Sequence, residues 1–270
     1  MSKVVLITGA TSGMGELSAK FLADNGYTVY AGSRDENVKS GEGNLKHVYI
    51  DVTKTPTIKN AVESIIKNEG KIDVLVNNAG YGLLSTLEDG SDEEIFNQFD
   101  VNVFGLIKTT REVLPYMREA KSGVIINISS FLGKMGLPLL SHYNASKYAV
   151  EGITDSLRFE TLPFGIRVHS IESGLFGTNF VQKGLVANAK TTSEDSPYKE
   201  LVTHFVPIVA KAINEGPSPQ PIADAIKYII ENENADIAIP VGGEAQSFVP
   251  LRKELSDKDF EKKVKETFGI

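Results

Sequence analysis

The stretch Val4-Val5-Leu6-Ile7-Thr8-Gly9-Ala10-Thr11-Ser12-Gly13-Met14-Gly15 determines our interpretation of the fold. Its first four residues form an apolar run typical of a buried strand, and a helical pattern starts directly after the glycines. Glycines in such a turn let the backbone approach a ligand closely, and the N-terminus of the following helix attracts phosphate. The stretch therefore indicates a dinucleotide-binding strand–turn–helix unit, and a tight turn without a ligand is the alternative.

Short β-branched runs alternate with longer helical patterns along the rest of the chain. This alternation predicts an α/β fold, with a doubly wound Rossmann-type parallel sheet covered by helices on both faces. The predicted strands lie at about 3–7, 27–32, 46–50, 72–76, 123–128, 166–171 and 236–240. The predicted helices lie near 14–25, 57–69, 92–119, 143–162 and 220–232. We expect one dinucleotide-binding and catalytic domain over residues 1–270.

Two segments depart from the alternation. Residues 175–217 are polar and long, and a stretch of that length between elements of a compact domain predicts a substrate lid with one or two short helices. Residues 250–270 predict a C-terminal tail helix. The helical pattern starts at Ser256, since Ser256 and Asp259 can cap it and Phe260, Val264 and Phe268 recur every four residues.

Composition excludes several classes of protein. The 270 residues contain no cysteine, which rules out disulfides, thiolate metal sites and cysteine nucleophiles, and the histidines show no metal-ligand spacing. A net charge of −7 argues against nucleic acid or an anionic membrane as the partner. No apolar run reaches the roughly 18 residues that span a bilayer, and the N-terminus lacks a signal-peptide pattern. We therefore expect a cytoplasmic protein.

The end of the second predicted strand carries the signal for cofactor choice. A dinucleotide fold that binds NAD places an acidic residue there to bind the ribose hydroxyls, whereas a 2′-phosphate requires a cation. This chain has Ser33 followed by Arg34, which favours NADP(H); a surface arginine paired with Asp35 is the alternative. Asp51 and Asn78 follow the next two strands at the edge where α/β sheets bind ligands, although both residue types are also common in turns.

A tyrosine and a lysine four residues apart suggest acid–base chemistry. Tyr143 and Lys147 would share one face of a helix. Lowering a tyrosine pKa by about three units takes roughly 4 kcal/mol, and an ammonium about 4 Å away at an effective dielectric of 20 supplies energy of that order. Ser130 lies at the end of the fifth predicted strand. Its hydroxyl could donate a hydrogen bond to a substrate carbonyl oxygen that Tyr143 protonates. A packed ring beside a solvated amine is the alternative.

Taken together, these residues resemble the short-chain dehydrogenase/reductase family. The motifs that carry the resemblance stand in that family's order: Thr8-Gly9-x-x-x-Gly13-x-Gly15, Asp51, Asn77-Asn78-Ala79-Gly80, Asn102, Ser130 and Tyr143-x-x-x-Lys147. The resemblance implies a seven-stranded sheet, with Tyr143 as general acid in reduction and Ser130 holding the substrate carbonyl. It also implies that Lys147 lowers the tyrosine pKa and binds the nicotinamide ribose, and that Asn102 holds a proton-relay water.

The resemblance extends to the cofactor and to the assembly. The implied NADP(H) contacts are Gly9, Thr11, Ser12, Gly13, Met14, Gly15, Ser33, Arg34, Asp51, Val52, Asn78, Ala79, Gly80, Tyr143, Lys147, Gly174, Phe176 and Thr178. Family members have proline directly before the glycine that corresponds to Gly174, and in this chain Ser173 stands at that position. A free φ and a restored N–H predict a looser nicotinamide end of the site. A homodimer or homotetramer is also implied, through the helices at 92–119 and 143–162.

Apolar side chains around the catalytic residues predict the substrate class. We expect a hydrophobic ketone, aldehyde or secondary alcohol, either steroid-like, retinoid-like or an aryl ketone. The predicted substrate contacts are Ser130, Leu132, Leu137, His142, Tyr143, Leu175 and Phe180. The predicted function is an NADPH-dependent carbonyl reductase or alcohol dehydrogenase. Two alternatives stay open: a non-catalytic NADP(H)-binding regulatory protein, and a serine hydrolase using Ser130 and His142, which lacks the expected G-x-S-x-G turn.

Overall fold

A computed structural model describes residues 2–37, 41 and 43–270. Within these residues the strands are β1 (Val4–Ile7), β2 (Thr28–Ser33), β3 (Leu45–Tyr49), β4 (Val74–Asn77), β5 (Gly82–Leu84), β6 (Gly123–Ser130), β7 (Ile166–Ser173), β8 (Leu185–Ala187) and β9 (Ala238–Val241). The α-helices are α1 (Gly13–Asp24), α2 (Thr55–Glu69), α3 (Asp92–Phe99), α4 (Gly105–Ala120), α5 (Ser141–Thr161), α6 (Lys199–Asn214), α7 (Gln220–Glu231), α8 (Gly243–Glu254) and α9 (Asp257–Phe268).

Seven parallel strands form the central sheet, in the order β3-β2-β1-β4-β6-β7-β9. Leu22 of α1 and Ile226 of α7 pack on one face, and Ile58 of α2, Met117 of α4 and Leu157 of α5 pack on the other. The predicted doubly wound α/β fold is therefore confirmed. The strand order reverses between β1 and β4, and such a reversal opens a crevice at the carboxyl ends of the two strands.

The helix predicted over 92–119 is interrupted near its middle. Between α3 and α4, residues Asp100–Phe104 form a π-helical turn, in which Asn102 is buried. Such turns insert an extra residue into a helix and occur often at functional sites. A single 3.6-residue periodicity could not reveal the insertion, because the apolar pattern continues on both sides of it.

The predicted tail helix is confirmed from its expected cap at Ser256 onward, but it does not include residues 250–254. Residues 250–254 belong to α8, and α9 begins only at Asp257 because Ser256 caps it by accepting a hydrogen bond from the Asp259 backbone N–H at 3.2 Å. We did not predict α8, which contains Pro250 and lacks a clear apolar stripe.

The segment 175–217 contains a π-helical turn at Phe180–Gly184, then β8 and α6. Strand β8 pairs with β5 in a small parallel ribbon that the sequence did not reveal. Apolar side chains also pack together beyond the carboxyl edge of the sheet, in a cluster separate from those on its two faces. Helices α6, α8 and α9 contribute Phe205, Phe248 and Phe268 to this cluster. In the part of the chain described here, no helix combines the length and hydropathy that crossing a membrane requires.

Candidate active site

The glycine-rich turn brings β1 and β4 together at the crevice. Gly9 has φ +63°, and a Cβ atom built there would lie 2.8 Å from the Cα of Ala79. Gly13, the first residue of α1, has φ +55° and faces Thr178. Both positions require glycine, because side chains disfavour this φ and the first has no room for one. The N-terminal end of α1 is therefore exposed to the crevice, where its dipole favours an anion.

Hydrogen bonds lock this turn to the segment after β4. The Asn78 side-chain amide donates to the carbonyl oxygens of Thr8 and Gly9, at 3.0 and 2.9 Å. The Thr8 hydroxyl in turn accepts from the backbone N–H groups of Asn78 and Ala79, both at 3.1 Å. Thr8 belongs to the glycine-rich motif, but no role was predicted for it; its position directly after a buried strand was the available signal.

A long groove runs along this edge of the sheet and gathers most of the predicted cofactor contacts. Its lining includes Gly9, Thr11, Ser12, Gly13, Met14, Gly15, Ser33, Arg34, Asp51, Val52, Asn78, Ala79, Gly80, Tyr143, Lys147 and Thr178. Gly174 and Phe176 do not line the groove and instead line a neighbouring apolar cavity. The lining also includes Tyr81, which was expected near the nicotinamide, and Lys183, for which no role was predicted.

Ser33, Arg34 and Asp51 sit at one end of the groove. The Ser33 hydroxyl accepts from the backbone N–H of Asp35 at 2.9 Å, and Arg34 is exposed on the groove wall. The Asp51 carboxylate accepts from the Thr53 N–H at 3.0 Å and from the Thr53 hydroxyl at 2.7 Å. Burial acts to raise the pKa of Asp51, but these bonds and Lys54 bring the pKa below its usual value. The Asp51 carboxylate is thus held in place by hydrogen bonds within its own turn.

Ser130, Tyr143 and Lys147 meet where the groove joins the apolar cavity. The Lys147 ammonium donates to the carbonyl oxygen of Ile128 at 2.9 Å and lies 5.7 Å from the Tyr143 ring centroid. Burial lowers the pKa of Lys147 to about 8, although the negative charge of Glu151 acts to raise it. Lys147 therefore carries a positive charge through most of the neutral range.

The expected lowering of the tyrosine pKa is wrong for this structure. Burial raises the pKa of Tyr143 to about 12, and the interaction with the Ser130 hydroxyl offsets this only in part. Charging a phenol away from water has a free-energy cost, and at Tyr143 this cost outweighs the attraction of the nearby ammonium. Tyr143 consequently keeps its proton at neutral pH, which is the state that a proton donor needs.

Asn102 holds the backbone next to Ser130, Tyr143 and Lys147 in place. Its side-chain amide donates to the Tyr81 carbonyl oxygen at 2.9 Å and to the Ser146 hydroxyl at 3.1 Å. Its carbonyl oxygen accepts from the Tyr81 N–H at 3.0 Å. These three bonds join the segment after β4 to α5, one residue before Lys147.

Ser173, which replaces the proline of the family pattern, makes hydrogen bonds of its own at this end of the site. Ser173 is buried as the last residue of β7, directly opposite Ser130 in the sheet. Its hydroxyl donates to the Ser129 carbonyl oxygen at 3.1 Å, and the Ser130 hydroxyl donates to the Ser173 carbonyl oxygen at 3.4 Å. The serine thus ties the strand that carries Ser130 to its neighbour, a bond that proline could not make.

The apolar cavity adjoins the groove, and both are lined by Met14, Tyr143, Ser173, Thr178 and Phe180. The predicted substrate contacts that line it are Ser130, Leu132, Leu137, Tyr143, Leu175 and Phe180.

His142 is the exception, and its prediction as a substrate contact is wrong. Its Nε2 faces Gly90, 2.5 Å from where a Cβ atom would stand. Successive residues of a helix point about 100° apart, so His142 turns toward the start of α3 when Tyr143 faces the cavity. Within the described residues no three His, Asp or Glu side chains are grouped as a metal would require.

Comparisons with known proteins agree with this geometry. The family model of short chain dehydrogenases matches residues 3–188. A 3-ketodihydrosphingosine reductase of Bacteroides thetaiotaomicron is 38% identical over 242 residues, covering 89% of this chain and 88% of that protein.

Two solved structures are similar over most of their length. A short-chain dehydrogenase from Streptomyces avermitilis has 32% identity and a TM-score of 0.82, covering 98% of both chains. The structure described as ElxO with NADP bound has 26% identity and a TM-score of 0.73, covering 92% of this chain and all of that one. From the matched motifs, the seven-stranded sheet and these relatives, we conclude that the chain belongs to the short-chain dehydrogenase family of nicotinamide-dependent oxidoreductases acting on CH–OH or carbonyl groups.

Proposed function

We propose that this chain is an NADPH-dependent carbonyl reductase for hydrophobic ketones and aldehydes, able to oxidise the corresponding secondary alcohols in reverse. One observation carries the proposal: Tyr143 lines both the groove and the apolar cavity, with the Ser130 hydroxyl beside it. A carbonyl group entering from the cavity would meet two hydroxyl donors at the point where the groove ends.

The groove residues fit a nicotinamide dinucleotide. The α1 N-terminus and its glycine turn suit the pyrophosphate, and Lys147 is placed to hold the nicotinamide ribose. Arg34, with no acidic residue at Ser33, suits a 2′-phosphate and supports NADP(H) over NAD(H). The NADP-bound structural relative is consistent with this preference. When bound, the cofactor supplies or accepts the hydride.

The chain's own residues handle the proton. Ser130 donates a hydrogen bond to the substrate oxygen and so orients the carbonyl. Tyr143, protonated at neutral pH, gives its proton to that oxygen as negative charge develops on it. The Lys147 ammonium stabilises the phenolate that remains, and Asn102 holds the surrounding backbone in place. In alcohol oxidation the same groups act in the opposite sense.

The cavity supports a hydrophobic substrate. Apart from the hydroxyls of Ser130, Tyr143, Ser173 and Thr178, the side chains that line it are apolar. Burying an apolar group there is worth about 25 cal/mol per Å², whereas a charged group would find no partner in this lining. The Bacteroides relative, whose name specifies reduction of a 3-keto compound, supports the direction of reduction.

The proposal is tested by following NADPH absorbance across a panel of alkyl, aryl and cyclic ketones. We expect turnover, and Tyr143→Phe should lower kcat by about 10²- to 10⁴-fold with NADPH binding unchanged. Tyr148→Phe is the matched control, because Tyr148 lies on the same helix and is 48% exposed. Near-normal turnover in Tyr143→Phe would contradict the acid role. NADPH binding without turnover across the panel would favour the regulatory alternative.

We also propose that two copies of the chain associate through α4 and α5. A surface groove between these helices is lined by Ile107, Leu114 and Ile153, and Phe159 on α5 is exposed. A second copy presenting the same face would cover these side chains. Sedimentation velocity should show a dimer or tetramer, and Ile153→Glu should shift it toward monomer. A monomeric wild-type protein would refute this assembly.

A further inference from the structure

The apolar cavity has one polar end. Its hydroxyls, including those of Ser130 and Tyr143, belong to the end where it meets the cofactor groove, and its remaining lining side chains are aliphatic or aromatic. A ligand that fills it must therefore be amphiphilic, with an oxygen-bearing group at the mouth and hydrocarbon beyond.

Helix α6 gives the cavity its length. The cavity is lined by Phe205, Val206, Val209, Ala210 and Ile213, a stripe that follows one face of the helix. From the first to the last of these residues the helix rises about 12 Å, at 1.5 Å per residue. The C-terminal end of α6 lies near the groove, because the Gly177 N–H donates to the Pro217 carbonyl oxygen at 2.8 Å and Thr178 lines the groove.

The opposite end of the stripe lies against the C-terminal helix. Phe205 is only 1% exposed, and its ring packs edge-on against Phe268 of α9 with centroids 6.3 Å apart. Phe268 in turn stacks on Phe248 of α8 at 5.6 Å. Phe205 lines the cavity, whereas Phe248 and Phe268 do not. The Phe205 ring therefore separates the cavity from the packed interior of the tail.

We propose that the cavity is a subsite for an unbranched alkyl chain, and that Phe205, supported from behind by α9, is the end stop that limits the length of that chain. An extended alkyl chain with bonds near 1.5 Å advances about 1.3 Å per carbon, so a 12 Å stripe accommodates about nine carbons beyond the carbonyl. This inference rests on the proposed carbonyl reductase function and narrows its substrate to long-chain aliphatic ketones.

The test is a series of methyl ketones from 2-hexanone to 2-heptadecanone with NADPH. In the wild-type enzyme, kcat/KM should rise by up to about fourfold per added CH₂ and then stop rising near nine chain carbons. In Phe205→Ala the rise should continue for about three more carbons, because removing a ring about 4 Å across extends the space by that much. Phe96→Ala, at a position 59% exposed on α3, should leave the maximum unchanged.

Two further variants address folding. Phe205→Leu retains most of the packing and should move the maximum by about one carbon in the same direction. Phe268→Ala leaves the stop in place but removes its support, and should broaden the preference toward longer chains. If both variants are folded, and Phe205→Leu keeps the wild-type maximum while Phe268→Ala keeps the wild-type range of chain lengths, Phe205 is not the end stop.

Calorimetric binding of the same ketones, without cofactor, separates this inference from the proposed function. A chain-length limit in binding that moves in Phe205→Ala, with no turnover of any ketone, would support the subsite and refute the reductase. Turnover with the same length preference in wild type and Phe205→Ala would support the reductase and overturn the subsite. Equal affinity for short and long ketones in the wild-type protein would also overturn it.

Discussion

We expect Asn102→Ala to act mainly on the stability of the folded protein and not on the chemical step. The side-chain amide makes three hydrogen bonds inside the molecule, two to the Tyr81 backbone and one to Ser146. The Tyr81 carbonyl oxygen also accepts from Gln98, and the Ser146 hydroxyl also donates to the Tyr143 carbonyl oxygen. Truncation therefore removes two bonds whose partners keep another and leaves the Tyr81 N–H unpaired.

The magnitude follows from these three bonds. At about 1 kcal/mol for each bond, the loss is about 3 kcal/mol in the free energy of unfolding. For a chain of this size that corresponds to a fall in Tm of about 6–12 °C. Urea denaturation and differential scanning fluorimetry measure the two quantities directly. Asn60→Ala, at an exposed position on α2, is the control and should change Tm little.

The opposite result would refute this reasoning. An Asn102→Ala protein with a Tm within about 2 °C of wild type would show that the three bonds contribute little to stability. If such a protein also lost turnover, Asn102 would act in the proton relay implied by the family resemblance and not as a backbone clamp.

Three other substitutions test separate parts of the site. Arg34→Ala should raise KM for NADPH by about 10- to 100-fold and change KM for NADH little; equal changes would remove Arg34 from the phosphate site. Gly9→Ala should weaken NADPH binding and lower Tm, because it adds a clash with Ala79 to the cost of a positive φ. At Gly26, φ is +86° and a Cβ atom would meet no atom of the described residues within 4 Å, its chain neighbours aside. Gly26→Ala therefore carries only the cost of the positive φ, and equal losses of Tm would contradict the clash. Burial and the Glu151 charge raise the pKa of buried Glu172. Because the folded state then holds the proton more tightly than the unfolded state, Glu172 reduces stability as pH rises above about 4.3. Glu172→Gln should flatten this part of the Tm–pH curve, and an unchanged slope would contradict it.

The sequence predicted those features that depend on local pattern. The apolar run at Val4–Ile7 and the glycines after it specify a buried strand and a turn that only glycine can form, and the sheet follows from repeating that unit. The four-residue spacing of Tyr143 and Lys147 needed only helical geometry to bring the two side chains near the same site. These features require no knowledge of what packs against them.

Other features depended on the partners that each residue meets after folding. The sequence could not show that His142 turns toward Gly90, because its direction depends on how α5 is rotated against the sheet. It could not show the π-helical turn around Asn102, since an inserted residue leaves the apolar pattern intact on both sides. It likewise did not reveal α8, which contains Pro250 and shows no clear apolar stripe.

Hydrophobic periodicity and residue type therefore predicted the strands, the glycine turn and the placement of Tyr143 and Lys147 on one face of a helix, because these depend on residues close together in the chain. Tertiary structure alone decided the protonation of Tyr143, the bond from Lys147 to Ile128 and the placement of Phe205 against the C-terminal helix. The physical reason is that desolvation and packing depend on atoms brought together from distant parts of the chain, about which the spacing of residues carries no information.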